Sequence, residues 1–255
     1  MNAKRERYLE EMGLGPVWKL RAREKRAAES PAAGTGAPPP AATRPEPPAS
    51  KQSAPPAEAA LSLDDRGARV MRMDWAELKA AVAGCKACAL HKTRTKTVFG
   101  VGDERADWLL VGEAPGAEED ARGEPFVGQA GKLLDNMLAS IGLKRGENVY
   151  IANVLKCRPP GNRNPEPFEV AQCAPHLLRQ LELIKPKLIL AMGRFAVQSL
   201  LETDSSIASL RGRVHRYRGV PLIVTYHPAY LLRNLPDKAK AWEDLLFARR
   251  TIAGL

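Results

Sequence analysis

The sequence predicts an α/β fold, a three-layer α/β/α sandwich on a mostly parallel central sheet, and three observations carry that expectation. Four short runs are apolar almost throughout: Trp108-Leu109-Leu110-Val111-Gly112, Val149-Tyr150-Ile151-Ala152-Asn153-Val154, Lys187-Leu188-Ile189-Leu190-Ala191-Met192 and Leu222-Ile223-Val224-Thr225. A strand buried on both faces reads this way, whereas a strand with one wet face alternates. Segments with helical spacing separate the runs, as crossovers between parallel strands require. Turn-forming glycine or proline follows the first and last runs, in Gly112-Glu113-Ala114-Pro115-Gly116 and Tyr226-His227-Pro228.

The elements follow in order. Asp74-Trp75-Ala76-Glu77 has the spacing of a capping box and opens a helix toward Cys85. Leu133, Leu134, Met137, Leu138 and Ile141 recur at helical spacing after the first strand. Residues 166–184 form the helix after the second strand, Arg194–Leu201 the helix after the third, and residues 237–252 a closing helix. Upstream, residues 30–70 form a Pro/Ala-rich stretch that buries too little apolar surface to order itself, so it reads as a disordered linker. Residues 1–29 mix charges with Tyr8, Leu9, Met12 and Trp18 and read as a short amphipathic segment, a candidate protein-partner site. The folded domain is then 71–255.

The 255 residues carry a net charge of +10. Residues 1–70 hold 12 Lys+Arg against 9 Asp+Glu, so +7 of the excess lies in residues 71–255. A folded part this basic is attracted to polyanions, nucleic acid above all. No apolar run approaches the roughly 20 residues of a membrane span, and no apolar core follows the basic N-terminal residues. The expectation is a cytoplasmic monomer without a membrane contact, where four cysteines are metal ligands or buried thiols rather than disulfides.

In such a sheet ligands bind beyond the carboxyl ends of the strands, and four polar segments fall there. They are Gly112 to Asp120, Glu124 to Leu134, Asn153, and Tyr226 to Asn234. A Gly/Pro turn with carboxylates offers close backbone approach and a general base. Phe126 offers an aromatic face, Asn153 a donor–acceptor pair, and His227 a donor near neutral pH. Together they suit a planar, hydrogen-bonding ring and the breaking of a bond to it. Two residues separate Cys85 from Cys88, and fifteen separate Cys157 from Cys173. On spacing alone, four thiolates suit structural zinc or a 4Fe–4S cluster.

GEAPG followed by EED, PFVGQAGKLL, NVLKCRPP and HPAYLLRN resemble, in that order, the motifs of the family 4 uracil-DNA glycosylases. The resemblance spans roughly residues 74–251. It implies the uracil-DNA glycosylase fold and a hydrolase that flips uracil out of DNA and cuts its glycosidic bond, the initiating step of base excision repair. By the same resemblance Glu113, Ala114, Phe126, Asn153 and His227 bind uracil. Phe126 stacks on the ring, Asn153 reads its Watson–Crick edge, and His227 donates toward O2. Glu119, or else Glu113 or Glu118, handles the attacking water. Ala117 stands where several members carry another Glu. The four cysteines match the ligands of a 4Fe–4S cluster.

DNA contacts are expected from Arg158 and Arg163 in the loop beyond Cys157, and from Leu231, Leu232 and Arg233, one leucine wedging into the base stack. Lys92, Arg94 and Lys96 form a second basic stripe, and Arg211, Arg213, Arg216 and Arg218 a third, which reads more simply as a solvated strand. The alternative is a non-catalytic or altered-chemistry DNA-binding relative on the same fold. Covalent-trapping relatives carry GEQPG and an Arg/His-rich insertion after the Asn motif, neither of which is present.

Overall fold

The computed structural model describes residues 63–255. The 1–29 segment and the linker up to residue 62 lie outside the described residues. Nine α-helices and six strands follow in the described part. They are α1 (Leu63–Val70), α2 (Trp75–Ala83), β1 (Val101–Gly102), β2 (Trp108–Gly112), α3 (Ala117–Arg122), α4 (Gln129–Ser140), β3 (Val149–Asn153) and α5 (Pro167–Ile184). Then come β4 (Leu188–Met192), α6 (Arg194–Leu201), α7 (Ile207–Leu210), β5 (His215–Tyr217), β6 (Val220–Thr225), α8 (Pro228–Leu231) and α9 (Asp237–Ala253).

The sheet order is β1-β3-β2-β4-β6-β5. The four expected strands are its parallel centre, and two antiparallel edge strands close it, β1 on β3 and β5 on β6. Every residue of β2, β3 and β4 is buried, which accounts for their unbroken apolar runs. Alternate residues face opposite layers. Leu109, Val111, Tyr150, Ala152, Ile189, Ala191, Leu222 and Val224 pack with Leu177, Leu181 and Ile184 of α5 and Val197 and Leu200 of α6. Leu110, Ile151, Leu190, Met192 and Ile223 pack on the other side with Leu134 and Leu138 of α4 and Leu245 and Ala248 of α9. Burying one such side chain stabilises the fold by roughly 1.5–3 kcal/mol, so the two faces fix the register of the sheet.

Asp74 and Glu77 form the expected capping box at α2. One boundary needs correction. Residues 63–70, assigned to the linker, are helix α1, and Arg66 donates from it to the carbonyl of Gln172 on α5 at 2.6 Å. LDDRGARV has little apolar surface of its own, so tertiary contacts, the Arg66 hydrogen bond and the burial of Val70, hold this helix rather than propensity.

Candidate active site and cysteine site

The chain runs from β2 to β3 on one side and later from β4 to β6 on the other, so the connections diverge between β2 and β4. That is where ligand crevices open in parallel sheets. Gly112 ends β2 opposite Asn153 at the end of β3. A Cβ on Gly112 would lie 2.4 Å from Asn153 Oδ1 and 2.7 Å from Phe126 Cζ. Only glycine lets the amide and the ring close on this point.

Asn153 is 2% exposed, and its Oδ1 has no hydrogen-bond partner. A buried acceptor left unpaired is costly, which points to a ligand donor. Phe126 stands beside it with φ 55°, a left-handed backbone that a bulky residue adopts only under constraint. The constraint is visible. Arg145, a residue the sequence did not mark, donates to the carbonyls of Pro125 and Phe126, both at 2.9 Å. Gly131 of α4 lies so close that a Cβ there would strike the Phe126 carbonyl at 1.8 Å.

His227 sits 5.4 Å from Phe126, ring centre to ring centre, with 30° between the planes. It caps α8, its Nδ1 accepting from the Ala229 N–H at 3.1 Å. Burial, with Arg233 nearby, lowers its pKa to about 4. The imidazole is therefore neutral near pH 7 and carries its proton on Nε2, which is free to donate. Gly193, at φ 87° after β4, leaves room for this ring, since a Cβ would meet His227 Cβ at 2.7 Å. Sequence reasoning passed over Gly193, although a glycine between an apolar strand and a helix is a usable signal.

The carboxylates separate into two environments. Glu119 accepts from the N–H groups of Gly116, Val127 and Gly128 at 3.1, 3.0 and 3.2 Å. It thus ties the first turn of α3 to the Phe126 loop and keeps about one of roughly four lone-pair positions. Glu113 is half-buried, and desolvation lifts its pKa to about 7. Ala114 packs between this turn and the cysteine region. Asp120 is buried and accepts from the Thr95 N–H, anchoring the segment before β1.

Cys85, Cys88, Cys157 and Cys173 are free thiols facing one shared cavity rather than meeting at a point. Three N–H groups point at their sulfurs: Arg94 Nη1 to Cys157 at 3.0 Å, the Lys156 amide to Cys173 at 3.2 Å, and Arg66 Nη2 to Cys85 at 3.6 Å. Burial raises the thiol pKa of Cys88 and Cys157, and that of Cys173 to about 12. His176 lines the same cavity and is kept neutral by burial, its pKa lowered to about 3.

Several expected DNA contacts find other roles. Leu231 is 1% exposed and packs under the sheet, so it cannot wedge, whereas Leu232 is 42% exposed beside exposed Arg233. Arg163 grips the buried carboxylate of Glu169 with both terminal nitrogens, at 2.9 and 2.6 Å, and orders the loop onto α5. Arg158 donates to Asn162 within the same loop at 2.7 Å. Arg94 turns inward to Cys157 rather than joining a surface stripe. Arg211 is bound to Asp244 at 2.9 Å, so it too is structural.

Comparison with known proteins places this geometry. The model of the uracil DNA glycosylase superfamily matches residues 99–246. A type-4 uracil-DNA glycosylase of Archaeoglobus fulgidus is 52% identical over 159 residues, 59% of this chain and 79% of that protein. One from Pyrobaculum aerophilum is 40% identical over 181 residues, 68% of this chain and 92% of its own. One from Sulfurisphaera tokodaii is 45% identical over 177 residues, 66% and 80% respectively.

Proposed function

Because the chain belongs to the uracil-DNA glycosylase superfamily, in its type-4 branch, we propose that it takes uracil out of the DNA stack and hydrolyses its N-glycosidic bond, leaving an abasic site. The observation that carries this reading is the buried, unpartnered Asn153 Oδ1 beside Phe126 and His227. Uracil N3–H is the donor that oxygen lacks, and the amide nitrogen of the same side chain donates to O4. Cytosine has an acceptor at N3 and a donor at C4, and would leave both groups of Asn153 mismatched. The Phe126 ring takes the face of the extruded base.

As the bond to C1′ breaks, negative charge gathers on the departing base. His227 Nε2–H donates to O2 and stabilises that charge. A neutral donor fixed in place gives this help without reorganising. Glu119 orients water toward C1′ through its remaining lone pair, while Glu113, half-buried at the turn, lines the base. Leu232 occupies the gap left in the stack, and Arg233 holds a neighbouring phosphate.

The four thiols fit an iron–sulfur cluster. The donor set is all sulfur, the sulfurs surround a cavity, and N–H groups aim at three of them, an arrangement that favours thiolate over thiol. Cys85, Cys88, Cys157 and Cys173 would hold a 4Fe–4S cluster whose contribution is to clamp the segment after α2 to β3 and α5, with no part in the glycosidic step.

The test is an oligonucleotide with a single uracil, incubated with brown, iron-containing protein and then treated with alkali. Scission at uracil but not at thymine is expected, with about four irons per chain. Intact strands, or a colourless protein with stoichiometric zinc, would refute the excision and the cluster readings respectively.

A further inference from the structure

One buried lysine joins the two sites. Lys156 is 1% exposed, the largest side chain so fully enclosed among the described residues. Its Nζ donates to the backbone carbonyl of Asn153 at 2.9 Å and to Gln180 Oε1 at 2.6 Å. Its own backbone N–H donates to Cys173 Sγ at 3.2 Å, and the next residue is Cys157. Gln180, itself fully buried on α5, is held by the Phe99 carbonyl at 2.9 Å and the Tyr150 hydroxyl at 3.3 Å. An ammonium taken out of water is unfavourable, and a hydrophobic side chain of similar volume would fill the space without that penalty. What a hydrophobic residue lacks is a donor to the Asn153 carbonyl. That carbonyl belongs to the residue whose Oδ1 stands unpaired in the pocket.

We propose that Lys156 is a positioning residue that ties the cysteine site to the base-reading amide. Its backbone is fixed by Cys173 and its side chain fixes the end of β3, so the order of the cysteine site sets the aim of Asn153. The inference rests on the reading of Asn153 as the uracil-reading group and of the cysteines as cluster ligands. Lys156 touches neither the base nor the sugar. Its loss is expected to weaken uracil recognition while leaving the grip on the DNA backbone unchanged.

The experiment compares wild type, Lys156→Met and Lys156→Gln, each at equal iron content. Affinity is measured for two duplexes, one with an uncleavable 2′-fluoro-arabino uracil nucleotide and one with a tetrahydrofuran abasic site. Lys156→Met is expected to bind the uracil duplex about tenfold more weakly, the scale of one buried hydrogen bond, with abasic binding unchanged. Lys156→Gln, which keeps a neutral donor, recovers part of the loss. An equal loss on both duplexes, or none on either, overturns the proposal. If Lys156→Met fails to retain iron, Gln180→Met decides, since it loosens the same ammonium from α5. A uracil-selective loss supports the link, and unchanged selectivity overturns it. Wild-type protein without uracil selectivity overturns the underlying reading and the link with it. Wild-type selectivity with a flat variant series overturns the link alone.

Discussion

Replacing His227 by alanine removes one donor aimed at charge that exists only late in the reaction. The Ala229 N–H at Nδ1 fixes the tautomer, and the ring packs against Phe126, so the lost Nε2–H was already in place before uracil arrived. Losing one such preorganised donor costs about 2.7–4 kcal/mol in the transition state, or roughly 10²–10³ in rate. Binding of the uracil duplex should change little, because ground-state O2 carries little charge. Single-turnover excision under saturating enzyme separates the two quantities. The pH dependence gives a second check. With a folded pKa of about 4 against 6.5 unfolded, the unfolded chain takes up a proton first as pH falls. Stability from this group is present above pH 6.5 and lost as pH drops toward 4, and His227→Ala should flatten that slope. Full activity in His227→Ala, or a rate that rises as the imidazole becomes charged, would refute the neutral-donor role.

Further outcomes follow from the same geometry. Glu113→Gln should excise uracil within about threefold of wild type, because Glu119 is assigned the water. A rate step near pH 7 that vanishes in Glu113→Gln would transfer that role to Glu113, whose pKa burial lifts to about 7. Glu113 also loses folded-state advantage as pH rises from 4.5 to 7, since the unfolded chain ionises first, and denaturant midpoints across that window check the sign. Gly112→Ala drives a methyl into Asn153 Oδ1 and Phe126, so excision should fall at least about 100-fold while thermal stability drops only by the roughly 1–3 kcal/mol of overpacking. Leu231→Ala should destabilise by about 2–5 kcal/mol as a core cavity, whereas Leu232→Ala should leave the melting temperature near wild type and slow uracil extrusion. Calorimetry beside a base-flipping fluorescence assay distinguishes the two leucines.

The central strands were legible because burial on both faces leaves no polar alternation, and the helices after them because their apolar residues recur every three or four positions. The edges were not. β1 is two residues long and carries no pattern, and β5, His215-Arg216-Tyr217, lies in the stretch that reads as a solvated strand but gives no sign of its pairing with β6. Helix α1 is hidden in the linker because Arg66 and the buried Val70 dock it, without a repeating apolar stripe to mark it. In the site, Asn153 and His227 are legible because a polar group at the end of an apolar strand stands out against its neighbours, and Phe126 because it is an aromatic residue in a glycine-framed loop. Leu231 and Leu232 could not be told apart, since α8 has four residues and no period to show which side is inward. Arg94 and Arg163 read as solvated or DNA-facing charges, and Lys156 is not marked at all. Their partners Cys157, Glu169 and Asn153 are supplied by the fold, and nothing in a sequence marks a cation as paired inside the protein.

The central claim is that the Asn153 amide reads the edge of uracil, and the most direct measurement is single-turnover excision of uracil and of cytosine from otherwise identical duplexes by wild type and Asn153→Asp. A protonated aspartic acid at this buried position presents a donor to cytosine N3 and an acceptor to its amino group, the reverse of what asparagine offers. Asn153→Asp is expected to cut uracil far more slowly and to gain measurable excision of cytosine, narrowing the preference between them. Wild-type discrimination retained in that variant would contradict it.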